Sequence, residues 1–179
     1  MITADDTVLL VIDIQGNLAQ LMDDKERLFD NAARLIRGAR ALGVPIVWAE
    51  QNPKGLGDTV PQVADALAGL EPVPKMSFSC CGEPRIMKEI EGAGRKNALL
   101  AGIETHVCVY QTAMDLLARG YEVYIVADAV SSRASHNKEI ALRRLVEEGA
   151  RLNSVEMALF EMMATAEHEK FREMVKIVK

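Results

Sequence analysis

TVLLVIDI, residues 7–14, is the stretch that decides the fold. From Val8 onward it contains no polar residue until Asp13, which predicts a strand buried on both faces of a parallel sheet. The runs PIVWA (45–49), NALLAG (97–102) and YEVYIVADAV (121–130) predict further strands. Because helical segments separate these runs, right-handed crossovers should place helices on both faces of the sheet. We therefore expect a three-layer, Rossmann-like α/β fold with a mainly parallel sheet of about six strands.

The segments between the strands carry apolar residues at helical spacing. This spacing predicts helices over 25–42 and 105–120, and RLNSVEMALFEMMA (151–164) predicts a last short strand followed by a helix. The stretch EPVPKMSFSCCGEP (71–84) has three prolines and no period, so we expect a long irregular excursion there. No linker or repeat is visible, which indicates a single domain over 1–179.

Composition argues against several classes of protein. A net charge of -5 and a pI near 5.3 oppose a nucleic-acid partner, which normally requires clustered Lys and Arg. The acidic start MITADD and the lack of an apolar run of about 20 residues oppose a signal peptide and a membrane span, so we expect a cytoplasmic protein. Three cysteines, two of them adjacent, do not form a disulfide framework.

Cys108 is the first candidate for chemistry. Ligands of parallel α/β sheets bind at the carboxyl ends of the strands, and Cys108 follows such an end near the start of a predicted helix. A helix dipole there should lower the thiol pKa below its free value of about 8.5. The alternative is a small buried hydrophobe. Since positions 107, 110, 111, 114 and 117 or 118 form one stripe, we expect the core not to need Cys108.

Asp13 and Lys75 are the second and third candidates. A carboxylate that closes a buried strand is costly without a partner or a task, and a nucleophilic thiol needs a base; alternatively, Asp13 caps the following turn. Lys75 follows PVP, whose prolines could hold an ammonium group over a pocket, although a loop lysine is more often simply solvated.

These residues carry a resemblance to a known family. Asp13 within VIDIQ, Lys75 in its loop and Cys108 in GIETHVCV together resemble the isochorismatase-like cysteine hydrolase superfamily across essentially the whole chain. The segments EQNPKGLG, KMSFSCCG, GIETHVCV and ADAVSSR are most similar to the isochorismatase domain-containing proteins. The resemblance implies an isochorismatase-type fold and a metal-independent cysteine hydrolase, with a homo-oligomeric assembly.

The resemblance also implies roles for five residues. Cys108 would attack the carbon of a small amide or related C–N substrate and form a thioester, Asp13 would move the proton, and Lys75 would lower the thiol pKa. A cis peptide bond would lie between Ile103 and Glu104. The N–H groups of Glu104 and Cys108 would then stabilise the oxyanion.

Family geometry further implies a pocket wall, which we assign to Gln15, Glu50, Gln51 and Phe78. The wall would suit a small, polar ligand. No cofactor is expected, and no metal site either, because the three histidines of the chain are not closely spaced and the loop AEQNPKGLG has none.

Two other functions remain open. The protein could be a catalytically silent binding or interaction protein on the same fold, or a thiol redox sensor in which Cys80 or Cys81 resolves an oxidised Cys108. Cys80 and Cys81 could equally be structural. SSR (131–133) either rims the pocket or forms a solvated turn, and His106 receives no role.

Overall fold

The computed structural model describes residues 1–179, which form one six-stranded, all-parallel sheet. Its spatial order is β3-β2-β1-β4-β5-β6. The strands are β1 (Thr7–Ile12), β2 (Ile46–Gln51), β3 (Val73–Lys75), β4 (Asn97–Ile103), β5 (Glu122–Ser131) and β6 (Arg151–Asn153). The order reverses between β1 and β4, which makes a topological switch point, the usual place for a ligand in this architecture. The predicted α/β fold is confirmed.

Nine helices surround the sheet. They are α1 (Gly16–Gln20), α2 (Lys25–Ala41), α3 (Pro53–Leu56), α4 (Pro61–Ala66), α5 (Pro84–Gly92), α6 (Tyr110–Ala118), α7 (Ser135–Glu147), α8 (Val155–Met163) and α9 (Phe171–Val178). A π-helical turn at Thr105–Val109 precedes α6. None of the helices has both the length and the hydrophobicity that crossing a bilayer would require.

The sheet separates two apolar cores because side chains alternate along each strand. In β1, Leu9 and Val11 face the core formed with α2, α4, α8 and α9, whereas Leu10 and Ile12 face the core formed with α5, α6 and α7. Every residue of β1 is buried. The continuous apolar run of the sequence therefore reflects a central strand with a core on each side.

The expectation of a long irregular excursion over 71–84 was wrong in part. Val73–Lys75 forms β3, which pairs in parallel with β2. Pro74 does not fit the usual sequence pattern of a strand, because proline has no backbone N–H donor. It is compatible with β3 because this strand lies at the sheet edge, where a missing donor is tolerated.

The expected orientation of the helix around Cys108 was also wrong. The buried face contains Cys108, Thr112 and Leu116, whereas Gln111 and its stripe are exposed or half-buried. The stripe with Gln111 and the face with Cys108 both carry apolar residues, so helical spacing alone does not predict which of the two is buried. Cys108 therefore lies on the side of this segment that faces the core.

Candidate active site

Three strand ends bring the candidate residues together. Asp13 follows β1, Lys75 ends β3, and Cys108 lies in the π-helical turn after β4. Lys75 Nζ is 2.7 Å from Asp13 Oδ2, and the two side chains are 0% and 2% exposed. The Cys108 thiol lines the same cavity as Asp13, and each group shifts the pKa of the other. The sequence-predicted trio therefore converges in one buried place.

The backbone at this place is constrained. Asp13 has a φ of 56°, in the left-handed region that few non-glycine residues adopt. Gly102, with a φ of 135°, lies so close to β1 that a Cβ there would be 2.0 Å from the Ile12 carbonyl oxygen. Only glycine lets β4 approach β1 at this point, and this approach places the turn containing Cys108 beside Asp13.

Lys75 is held from several directions. Besides Asp13, its Nζ donates to Gln51 Oε1 at 2.7 Å and to the carbonyl oxygens of Ser77 and Phe78 at 3.2 and 3.0 Å. An ammonium group has three N–H donors, so these acceptors occupy all of them. Lys75 is consequently a fixed charge that orients Asp13, with no donor left for a ligand.

Asp13 keeps one oxygen available. Burial raises the pKa of this carboxyl group, and the Lys75 ammonium opposes the rise. While Oδ2 binds Lys75, Oδ1 is buried and accepts no hydrogen bond of ordinary geometry. Buried polar atoms normally have a partner, so an unused oxygen beside a thiol is an acceptor positioned for a proton.

The surroundings of the Cys108 thiol favour its protonated form. Burial raises its pKa well above the ordinary value, the Asp13 carboxylate raises it further, and Lys75 only partly offsets these effects. The expectation of a thiol pKa below the free value was therefore wrong. It rested on a helix dipole, but desolvation of a residue that is 6% exposed outweighs the dipole of the helical turn that contains it.

This electrostatic arrangement predicts how Cys108 reacts with iodoacetamide. Its rate in the native protein should rise only above pH 8.5, roughly the pKa of a free thiol. Asp13→Asn should lower the apparent pKa because it removes a negative charge that raises it, and Lys75→Met should raise it. Peptide mass spectrometry between pH 6 and 10, roughly bracketing that value, measures each rate. A native apparent pKa below that of a free cysteine peptide would contradict this prediction.

A cavity of about 120 Å³ opens at the thiol. Its polar lining comes from Asp13, Gln51, Glu104 and Cys108. The rest of the wall is apolar and consists of Leu18, Leu56, Phe78, Ile103 and Val107. Phe78 is 54% exposed, which places it at the mouth. Of the four predicted wall residues, Gln51 and Phe78 line the cavity.

Gln15 and Glu50 do not line it, so their assignment to the pocket was wrong. Gln15 is fully buried and exchanges hydrogen bonds with the Gln51 backbone at 2.7 and 3.2 Å. Glu50 precedes Gln51 in β2 and therefore points to the opposite sheet face, where its Oε1 accepts hydrogen bonds from Thr59. Both residues brace the loops around the site.

A polar clamp, which we define as residues 104–106 bonded to residues 131–133, fixes the turn that carries Cys108. Glu104 accepts hydrogen bonds from Arg133 at 3.0 to 3.2 Å, and Thr105 Oγ1 donates to the Ser131 carbonyl oxygen at 2.9 Å. His106 Nδ1 lies 3.0 Å from Ser132 Oγ. Sequence reasoning missed this clamp, for which the polar run SSR is the only signal.

The backbone of Glu104 is also part of the site. The peptide bond between Ile103 and Glu104 is cis. The Glu104 carbonyl oxygen accepts from Val107 and Val109, whereas its N–H donates to no acceptor within the protein. Although burial opposes it, bonding to Arg133 lowers the pKa of the Glu104 side chain, so that the carboxylate stays charged. No group of three potential metal-ligating side chains converges anywhere in the chain.

The fold and the site define a three-layer α/β protein with a thiol-bearing cleft at the switch point of its sheet. Residues 7–157 match the family described as the isochorismatase domain, and the chain belongs to that family. It has the fold of the isochorismatase-like hydrolases. The resemblance seen in the sequence is thereby confirmed.

Individual relatives agree with this assignment. Isochorismatase domain-containing protein 1 of Danio rerio is 45% identical over 151 residues, which cover 82% of this chain and 51% of that protein, so the chain spans about half the length of this relative. Isochorismatase domain-containing protein 2A of Mus musculus is 37% identical over 179 residues, covering 99% of this chain and 85% of that protein. A solved structure described as the MAR1 ribonuclease of Caenorhabditis elegans is 37% identical, with a TM-score of 0.92, and the match covers 99% and 91% of the two chains.

Proposed function

We propose that this chain is a metal-independent cysteine hydrolase that cleaves a small amide or a related C–N bond through a thioester on Cys108. The single observation that carries the proposal is the buried thiol beside a carboxylate with one oxygen bound to Lys75 and the other unused. Such a carboxylate can take a proton from the thiol and return it to a leaving group.

Acylation begins as the Cys108 sulfur attacks the carbonyl carbon. Because its surroundings favour the protonated form, the thiol proton passes to Asp13 as the S–C bond forms. The C–N bond then breaks, and Asp13 gives this proton to the departing nitrogen, so that a primary amide releases ammonia. Lys75 keeps the carboxylate oriented throughout, since it holds Oδ2 at 2.7 Å.

Deacylation repeats the same steps with water. Water attacks the thioester carbon, its proton goes to Asp13, and the C–S bond breaks. The sulfur recovers the proton and the carboxylic acid leaves. The net reaction consumes one water and one amide and yields one carboxylic acid and one ammonia.

The unpaired Glu104 N–H supports a role in stabilising the oxyanion. It donates to no protein group and belongs to a residue that lines the cavity beside Cys108. The polar clamp holds this residue through Arg133. We assign Glu104 N–H, together with Cys108 N–H, to the negative oxygen that develops during attack.

Trapping the acyl-enzyme tests this proposal directly. The protein is mixed with short primary amides, quenched in acid within seconds and digested, and the masses of its cysteine peptides are measured. Trypsin separates Cys108, in residues 97–119, from Cys80 and Cys81, in residues 76–85. An added acyl mass on residues 97–119 supports the thioester, and ammonia release without it contradicts this mechanism.

The thiol-sensor alternative has less support. Burial raises the pKa of each of the three thiols, that of Cys80 to about 12. Peroxide oxidises the thiolate form, so these thiols are poorly suited to sensing. A catalytically silent protein remains the outcome if no acyl-enzyme and no ammonia form.

Ribonuclease activity is a second candidate, favoured by the description of the C. elegans structure. The site offers little to RNA, because affinity for nucleic acid comes from Lys and Arg contacts with phosphate and no cation lines the cavity. Incubation of the chain with labelled RNA distinguishes the two functions. Cleavage by the native protein that is lost in Cys108→Ala would replace the amide by RNA as the proposed substrate.

We also expect a homo-oligomer. The stripe with Val107, Tyr110, Met114 and Leu117 is apolar and only half-buried, and Val146 on neighbouring α7 is 47% exposed. Light scattering at micromolar concentration should give a multiple of the chain mass of 19.7 kDa. A mass equal to one chain would contradict this expectation.

A further inference from the structure

We propose that the cavity at Cys108 selects short amides that carry no charge near their carbonyl group and that it rejects carboxylate-bearing analogues. This inference rests on the proposed hydrolase function and names its substrate class. It depends on which charges face the cavity, how each is already paired, and what the remaining wall is made of.

No cation faces the cavity. Its lining includes neither Lys, Arg nor His. Lys75 is close behind the wall, but its side chain is 0% exposed and all its donors are engaged. Arg133, the other nearby cation, is bound to Glu104 with its side chain 58% exposed, outside the cavity. A carboxylate on the substrate would find no partner here.

The acidic residues that line the cavity are already paired. Asp13 and Glu104 each have a cation as partner, so a carboxylate close to the scissile carbonyl would lose its hydration and find no counter-charge in the cavity. A cationic ligand gains little, because both carboxylates already have their own partners, Lys75 and Arg133. The arrangement favours a ligand without charge.

The wall and the volume favour a short acyl group. Five of the nine lining residues are apolar. The cavity volume of about 120 Å³ is somewhat smaller than a dry apolar cavity of roughly 150 Å³ that accommodates a benzene-sized ligand. Acyl amides of about five or six non-hydrogen atoms therefore fit, with longer groups passing Phe78 into solvent.

A pair of alkylating reagents tests the inference without requiring turnover. Iodoacetamide and iodoacetate have the same reacting carbon and leaving group, but the first is a neutral amide and the second a carboxylate. Their rate ratio is measured at Cys108 near pH 9, roughly where a free thiol is ionised, and compared with the ratio for a short cysteine peptide. We expect the ratio at Cys108 to exceed the peptide ratio by about tenfold or more.

Two lysine substitutions sharpen the test. Leu18→Lys places a cation on the apolar wall and should remove most of the excess ratio. Leu21→Lys adds the same charge at a side chain that is 62% exposed and does not line the cavity, so the excess should persist. A ratio at Cys108 equal to or below that of the peptide would overturn the inference.

Hydrolysis of malonamide and malonamate completes the experiment, because these amides have the same number of non-hydrogen atoms and differ in a terminal carboxamide or carboxylate close to the scissile carbonyl. Initial ammonia release from malonamide at ten times or more the rate from malonamate supports both proposals. Equal release contradicts the selectivity while supporting the hydrolase. Release from neither, with the excess alkylation ratio intact, contradicts the hydrolase and leaves the neutral cavity established.

Discussion

Replacing Lys75 by methionine should lower the free energy of unfolding by about 3–5 kcal/mol, the usual effect of breaking a buried ion pair. The substitution leaves Asp13 buried without a counter-charge. It also removes the ammonium group that donates hydrogen bonds to oxygens of Gln51, Ser77 and Phe78. Urea denaturation at neutral pH measures the change.

The loss should depend on pH. Without Lys75, the folded-state pKa of Asp13 rises further, because Lys75 lowers it. A carboxyl group with a folded pKa above its unfolded value of about 3.9 contributes stability below that value and loses it as the pH rises through the folded pKa. The loss in free energy of unfolding caused by Lys75→Met should therefore be larger at neutral pH than near pH 4, roughly the pKa of an aspartate in the unfolded chain.

Two comparisons control this prediction. The double variant Asp13→Asn, Lys75→Met should regain part of the lost stability, since it removes both charges. Lys170→Met, which breaks a solvent-exposed pair with Glu173, should cost at most about 1 kcal/mol. A similarly small, pH-independent loss for Lys75→Met would refute the buried pair.

Cys108→Ala should reduce amide hydrolysis by about 10³-fold or more, equivalent to roughly 4 kcal/mol of transition-state stabilisation. The reason is that no other thiol or hydroxyl group lines the cavity, so the thioester cannot form elsewhere. Steady-state ammonia release, compared with the background without protein, measures the effect.

Cys81→Ala is the matched control, because Cys81 is equally buried but does not line the cavity. It should keep activity within about threefold of the native rate. If Cys108→Ala stayed active while Asp13→Asn did not, the reaction would proceed by water that Asp13 activates, and the covalent intermediate would be wrong.

Much of this architecture can be predicted from a few segments of sequence. The run 7–14 gives a buried central strand, and the rule that ligands bind at strand ends directs attention to Asp13 and to the turn before Cys108. Lys75 is different, because nothing local distinguishes it from a solvated loop lysine. Its proposed role is implied by the family resemblance alone. Its ion pair with Asp13 depends on the edge strand β3, which the neighbouring prolines make hard to predict from the sequence.

The remaining features depend on three-dimensional packing. The helical segment around Cys108 has two stripes of apolar residues, and packing against the sheet determines which one is buried. Glu50 and Gln51 are neighbours in sequence but face opposite sides of β2. The thiol pKa also depends on burial, which no spacing reveals.

The cavity has two kinds of wall, and they come from different parts of the chain. The proposed reacting groups lie at or just after strand ends, whereas Leu18 lies on α1, Leu56 ends α3, and Phe78 belongs to the loop after β3. None of these three side chains is among the buried residues of the two cores. Exchanging these three side chains would therefore change which molecule the cavity accepts and leave the proposed chemistry at the carboxyl ends of the strands unchanged.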